Sequence, residues 1–246
     1  MTVLRSRDNP KVKRWMRLAS DGRFRRKEGR ALIEGPHLVE AGLDQIKTLF
    51  VVEGDLSGEI RSLVNRSRLE PVVLSRNVFN AIADAESPQG VAAEIAIPPG
   101  AANEKADSVF LEGIQDAGNV GAIIRSAAAF GVKAVYLDKA CADPWSPKAL
   151  RAGMGGHFQL AVMEGTPPEG KRLVCTVVKG GVSLKEADLS GPLCWVFGSE
   201  GQGVSPGLQR KAALRVSIPV APRTESLNVA AAAAVCLYET HARRDT

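Results

Sequence analysis

The 246-residue sequence predicts an α/β protein made of two units. Short apolar, β-branched runs alternate with helical stretches along the chain. A segment with two prolines and a glycine, IPPGAANEKAD at 97–107, interrupts that alternation. Beyond it the strands are apolar on both faces, as in a parallel sheet covered by helices. These observations divide the chain into a small α/β unit over 1–98, a linker over 99–107 and a larger unit over 108–246.

The chain opens on a basic segment. Residues 1–30 hold 11 Lys and Arg against 3 Asp and Glu, a net of +8, while the remaining 216 residues carry a net of −3. Asn9 followed by Pro10 marks a helix start, a cap and then a proline in the first turn. Val12, Trp15, Met16 and Ala19 then form one apolar stripe, with Lys11, Lys13, Arg14 and Arg17 around it. The following GRFRRKEGR reads as a loop with five basic groups. Such a segment attracts a polyphosphate backbone and releases its counterions, which makes Lys11, Arg14, Arg23, Arg25, Arg26 and Arg30 candidate RNA contacts. The alternative on composition alone is a solvated charged tail.

Strands follow at 31–34, 47–52, 71–74 and 91–97, with helices at 36–43, 57–67 and 76–84 between them. Past the linker, strands are expected at 108–113, 133–138, 172–178, 193–198 and 214–219. No apolar run approaches the ~20 residues that span a bilayer, and the N-terminus lacks the apolar core of a secretory signal, so the protein is expected in the cytoplasm. Cys141, Cys175, Cys194 and Cys236 lie far apart and only three histidines are present, so no metal-ligand spacing appears and the thiols read as reduced and structural.

Ligands of parallel sheets sit beyond the carboxyl ends of the strands, and three of those ends have unusual sequences. The first, GIQDAGNVGAIIRSAAAFG at 113–131, turns at Gly118, Asn119 and Gly121 and becomes a small-residue helix. Arg125 is its one charge between Ala122 and Phe130. It either snorkels to water or meets an anion with its planar fork of donors. The second, FGSEGQGVS, places Gly198, Gly201 and Gly203 around Glu200. Its glycine spacing and late position differ from the dinucleotide fingerprint, and Glu200 alone reads equally as a surface acid. The third, SIPVAPRTESLNVAAAAAVCLYE at 217–239, leads into an alanine-rich helix that is apolar nearly all round and expected to be buried. Ser226 taken singly is a helix cap, with Asn228 two residues on.

Taken together, NVGAIIRSAAAFG, FGSEGQGVS and IPVAPRTESLNVAAAAAV resemble the three motifs of the SpoU, or TrmH, family of RNA ribose 2'-O-methyltransferases, in order and at similar separations. DPWSPKALRAGMGGHF at 143–158 resembles the segment between the family's first two motifs, and GRALIEGPHLVEAGL resembles its L30e-like substrate-binding domain. The resemblance implies an α/β SPOUT fold with a C-terminal trefoil knot, preceded by a small L30e-like α/β domain. It also implies a homodimer that uses S-adenosyl-L-methionine. Gly198, Ile218 and Leu227 would contact that cofactor, mostly through backbone, while Asn119, Arg125, Glu200, Ser226 and Asn228 would form the reaction centre.

On this reading the glycines bring main chain against the donor. The resemblance implies an arginine proposed as base; because a guanidinium holds its proton, Arg125 is expected instead to clamp the neighbouring phosphate and to stabilise developing alkoxide, with deprotonation by Arg125 open only under strong local perturbation. Here Arg223 and Thr224 stand before ESLN, where many members have a glycine and a small or β-branched residue. The expected substrate is ribosomal RNA. Transfer RNA, or a non-catalytic role as an RNA-binding assembly factor, are the alternatives.

Overall fold

The structure is a computed structural model that describes residues 2–101 and 105–244. Residues 102–104 of the expected linker, Met1, and residues 245–246 lie outside the described residues.

The first unit runs α1 (Pro10–Ser20), α2 (Gly22–Glu28), β1 (Arg30–Glu34), α3 (Pro36–Ala41), β2 (Ile46–Val52), α4 (Gly58–Ser67), β3 (Val72–Leu74), α5 (Arg76–Ile82) and β4 (Val91–Ala96). Its sheet has the order β1-β4-β2-β3, with β4 antiparallel to both neighbours and β3 parallel to β2. The start of α1 follows from its sequence, since the Asn9 side chain accepts from Lys11 N–H at 2.9 Å and Pro10 opens the first turn. Val12, Trp15 and Leu18 are buried with Phe50, Leu74 and Phe79 on one face of this sheet. The Trp15 and Phe50 rings meet edge to face at 4.6 Å. Met16 and Ala19, expected in the same stripe, sit at its half-buried margin.

The segment expected as a basic loop is instead helical. Asp21 accepts from Phe24 N–H at 3.0 Å and caps α2, and Gly29 closes it in the left-handed region at φ 59°. The density of charge suggested a loop, whereas this punctuation on either side decides for a helix.

The second unit runs β5 (Ser108–Glu112), α6 (Ala117–Ala129), β6 (Ala134–Leu137), α7 (Pro147–Gly153), β7 (Ala161–Glu164), β8 (Arg172–Thr176), β9 (Val182–Ser183), β10 (Leu193–Gly198), α8 (Pro206–Lys211), β11 (Leu214–Ser217) and α9 (Val229–Ala242). Its strands form one wholly parallel sheet, β7-β6-β5-β10-β8-β11-β9. The edge strands β7 and β9 are additional to the five expected; both are short and weakly patterned. Helices α6 and α9 cover one face, where Val109, Leu111, Trp195 and Phe197 are buried, and Trp195 Nε1 donates to Thr240 Oγ1 of α9 at 3.1 Å. Phe110, Cys175, Cys194 and Val196 lie beneath Val204 and Leu208 on the other. All four cysteines are free, and burial pushes the Cys175 thiol up to about 12 and that of Cys194 up to about 11, which keeps them unreactive.

Helix α9 is buried along only part of its surface. Ala233, Cys236 and Leu237 are buried, but Val235 is 41% exposed and Tyr238 57%, so one flank of this apolar helix is exposed among the described residues.

Segment 143–158 lies between the two units and carries a buried histidine. His157 Nε2 donates to the Pro144 carbonyl at 2.8 Å, its Nδ1 has no partner among the described residues, and Gly153 leaves the space its ring occupies. Burial lowers its pKa from 6.5 to about 4. A depressed folded pKa means that the unfolded chain binds the proton more readily, so this contribution to stability is present above pH 6.5 and is lost as pH falls towards 4. Urea midpoints should therefore decline over that interval, and His157→Gln, which keeps a donor but does not titrate, should have a shallower decline. Identical slopes for the two proteins would contradict the assignment.

Candidate active site

Because every strand of the larger sheet runs the same way, the turns that follow β5, β10 and β11 emerge at one edge. Gly198, the last residue of β10, is in register with Glu112, the last of β5, so two of these turns begin level with each other.

The first turn ends in α6. Asp116 caps that helix, accepting from Asn119 N–H at 2.9 Å, and its other oxygen meets Lys148 Nζ of α7 at 2.5 Å. Lys148 first, and then the Asn119 amide, hold the Asp116 carboxyl below its usual range. Helices α6 and α7 approach closely: a Cβ on Gly121 would stand 2.2 Å from the Ala149 carbonyl oxygen.

The second turn doubles back on its own strand. A Cβ on Gly198 would lie 2.1 Å from the carbonyl carbon and oxygen of Gly203, and Gly203 N–H donates to the Ser199 carbonyl at 2.8 Å. The space left by Gly198 is thus filled by main chain of its own loop. Glu112 accepts from Ser205 N–H at 2.7 Å and ties the far end of this loop to β5.

The third turn, 218–228, is largely exposed and ends at Asn228. Asn228 Oδ1 accepts from the N–H groups of Ala230 at 2.9 Å and Ala231 at 3.3 Å and caps α9. The capping role expected of Ser226 falls to Asn228, since the helix begins at Val229, beyond the reach of Ser226.

Gly118, Asn119 and Gly121, expected in a turn, lie in the first turns of α6 because Asp116 caps the helix ahead of them, and Asn119 joins that helix to the other two turns. Its Nδ2 donates to Glu200 Oε1 at 2.5 Å, and its Oδ1 accepts from Asn228 Nδ2 at 3.1 Å. Chemistry sets the orientation of both amides: an ionised carboxylate only accepts, and Asn228 Oδ1 is already engaged by helix amides, so its NH2 must face Asn119. Asn119, Glu200 and Asn228 are therefore brought together. Arg125 lies six residues further along α6, roughly 9 Å in rise, and is exposed. Among the described residues neither Arg125 nor Ser226 hydrogen-bonds to that chain.

The six basic candidates separate. Lys11 and Arg23 are exposed without ion-pair partners among the described residues. Arg14 reaches both Glu94 oxygens at 2.9 and 3.0 Å and also Glu28, Arg30 lies 3.7 Å from Glu94, and Arg26 pairs with Glu164 at 3.2 Å. Arg25 is corrected: it is buried and paired with Asp143 at 2.8 Å, so it presents no charge to a ligand.

Residues 107–238 match the SpoU rRNA Methylase family, and residues 9–93 match an MRM3-like substrate binding domain. The chain belongs to the SpoU rRNA methylase family. Among relatives of this SpoU protein, the 23S rRNA (guanosine(2553)-2'-O)-methyltransferase RlmP of Bacillus subtilis is 32% identical over 97% of this chain and 98% of its own. A tRNA/rRNA methyltransferase of Synechocystis, named as uncharacterized, is 34% identical over 95% of this chain and 91% of its own. The AdoMet-bound rRNA methyltransferase from Sinorhizobium meliloti superposes with a TM-score of 0.84 at 27% identity, covering 98% of both chains.

S-adenosylmethionine is the cofactor of this family member, and the third turn fits such a group. Among the described residues of 218–227, the bond from Thr224 N–H to the Ala221 carbonyl is the internal main-chain bond, which leaves polar backbone for a ligand. Leu227 is 38% exposed and half-buried Ile218 flanks the same turn, so apolar surface lies beside that backbone.

Sequence reasoning missed Asp116, Lys148 and Glu112, the supports of this arrangement. Asp116 stands three residues before Asn119, a capping interval visible in the sequence, whereas the partners of Lys148 and Glu112 are distant along the chain.

Gly198→Ala must displace the loop that carries Glu200 and should weaken S-adenosylmethionine binding at least ~10-fold, about 1.4 kcal/mol, by titration calorimetry. Gly201→Ala meets open space and should bind as the parent does. Equal affinity of Gly198→Ala and the parent would refute this role for the loop.

Proposed function

We propose that the protein transfers the methyl group of S-adenosylmethionine to a ribose 2'-hydroxyl of ribosomal RNA, and that Asn119, Arg125, Glu200, Ser226 and Asn228 form its reaction centre. The observation that carries this reading is the chain Glu200–Asn119–Asn228, which joins three turns at one edge of a parallel sheet. The ribosomal substrate is supported by the match to the MRM3-like substrate binding domain and by the rRNA activity named for the B. subtilis relative.

The cofactor supplies an activated methyl group on sulfonium, so the chain has mainly to orient the ribose oxygen in line with it. Gly198, Ile218 and Leu227 hold the cofactor, chiefly through main chain. Asn119 fixes the turns bearing Glu200 and Asn228 against each other, so neither must reorganise as charge develops. Arg125 is exposed and has no protein partner among the described residues, which leaves its fork of donors for a phosphate of the RNA. From there it stabilises negative charge on the ribose oxygen as the hydroxyl proton passes to water, without surrendering its own proton. Ser226, exposed beside Leu227, orients the bound groups by hydrogen bonding.

The same reading includes a C-terminal knot, a homodimer and a cytoplasmic site of action. In support of the first, α9 returns from the far side of β10 to pack on α6, and Arg243 beyond it donates to the carbonyls of Leu184 and Ala187 at 2.8 Å. In support of the second, Val235 and Tyr238 on α9 form an uncovered apolar flank, extended by Phe130 against Tyr238. For the third, no helix among the described residues is long and apolar enough to cross a membrane.

Arg125→Ala tests the chemistry. With radiolabelled S-adenosylmethionine and rRNA, methyl transfer should fall ~100-fold or more, the scale of removing one stabilising donor, while donor affinity stays within about twofold. A variant as active as the parent would overturn this role for Arg125.

A further inference from the structure

The buried arginine of the basic segment has a different task. Arg25 donates from Nε to Asp143 Oδ2 at 2.8 Å, and from Nη1 to the carbonyls of Leu18 and Ala19 at 2.6 and 3.0 Å. Its Nη2 lies 2.8 Å from the same Asp143 oxygen. The other carboxylate oxygen accepts from Trp145 N–H at 2.9 Å. The two side chains are only 5% and 14% exposed, so nearly every donor and acceptor has a defined partner inside the protein.

Asp143 opens the segment 143–158, which is pressed between the first unit and the helix of the reaction centre. On the side of α6, Gly121 sits against the Ala149 carbonyl, and a Cβ on Gly156 would stand 3.1 Å from Arg125 Cα. The other ion pairs across the joint, Arg26 with Glu164 and Arg151 with Asp84, are about half exposed and constrain its angle little, while Phe158 packs beside Gly42 and His37 Nε2 lies 3.2 Å from the Met154 carbonyl. A buried pair with assigned hydrogen bonds does constrain it, because any rotation leaves a charge without solvent or partner.

We infer that the Arg25–Asp143 pair sets the orientation of the RNA-binding unit relative to α6, and thereby places the ribose of a bound RNA at Arg125 and Asn119. This rests on the proposed methyl transfer to RNA. Arg25 and Asp143 are positioning residues: neither faces the reaction centre, and both act through segment 143–158. Breaking the pair leaves the RNA-binding surface and the cofactor turn intact and disturbs how they face each other. A displacement of about 1 Å at a reacting group can cost ~100-fold in rate.

Asp143→Asn is the appropriate change, since its Oδ1 still accepts from Trp145 N–H while the amide turns a donor towards Arg25. The assay is single-turnover methyl transfer by the full chain, at a temperature where it is folded, on rRNA from cells that lack the protein. The rate should fall ~10-fold or more, with affinities for that rRNA and for S-adenosylmethionine within about twofold of the parent. If Asp143→Asn does not fold, Arg25→Lys replaces it; one ammonium cannot serve Asp143 together with the Leu18 and Ala19 carbonyls. A lowered melting temperature with an unchanged rate would reduce the pair to a stabilising contact and overturn the inference. So would weakened RNA affinity with an unchanged rate, which would make Arg25 an RNA contact. A parent protein that transfers no methyl to any RNA would instead defeat the functional reading on which the inference stands.

Discussion

The amide of Asn119 has two ends, and both are committed. One donates to Glu200 in the turn after β10, and the other accepts from Asn228 at the head of α9, so a single side chain fixes three segments far apart in sequence. The arrangement depends on the wholly parallel sheet, which delivers those segments to one edge. It depends equally on Gly198, where any side chain would meet the main chain of the returning loop. Charge-assisted hydrogen bonds such as that to Glu200 are short and directional, and held in place beforehand they need no rearrangement during reaction.

Around this centre the supports are layered. Asp116 caps α6 and is itself held by Lys148, while Glu112 holds the far end of the glycine-rich turn at Ser205. Segment 143–158 backs α6 from behind, with Gly121 and Gly156 permitting an approach that larger residues would block. Its other side meets the first unit through Arg25, which makes the joint between the units part of the same construction.

Much of this was legible in the sequence, and the limits have physical causes. The strands of the larger sheet stood out because a parallel sheet buried on both faces needs continuous apolar runs, as in LCWVFG and SVFLE. Strands β7 and β9 lie at the edges, where that demand lapses. The helix α2 was hidden by its charges, although Asp21 and Gly29 marked its two ends. The association of Asn119, Glu200 and Asn228 was legible only through family resemblance, since composition and periodicity carry no information on which distant turns meet. Arg25 shows the opposite limit: one charge in a basic run reads as a solvent-facing group, and only its partner, 118 residues away, reveals it as buried. The uncovered flank of α9 has a similar origin, because periodicity reports that a face is apolar without saying what covers it.

On the proposed reading, three turns at one edge of a sheet present an activated methyl to a sugar hydroxyl. Nucleoside mass spectrometry of rRNA incubated with the protein and deuteromethyl-labelled S-adenosylmethionine tests this most directly. The label should appear on the ribose of a single nucleoside position. Label on a base, or none despite bound donor, would overturn ribose methylation by these turns.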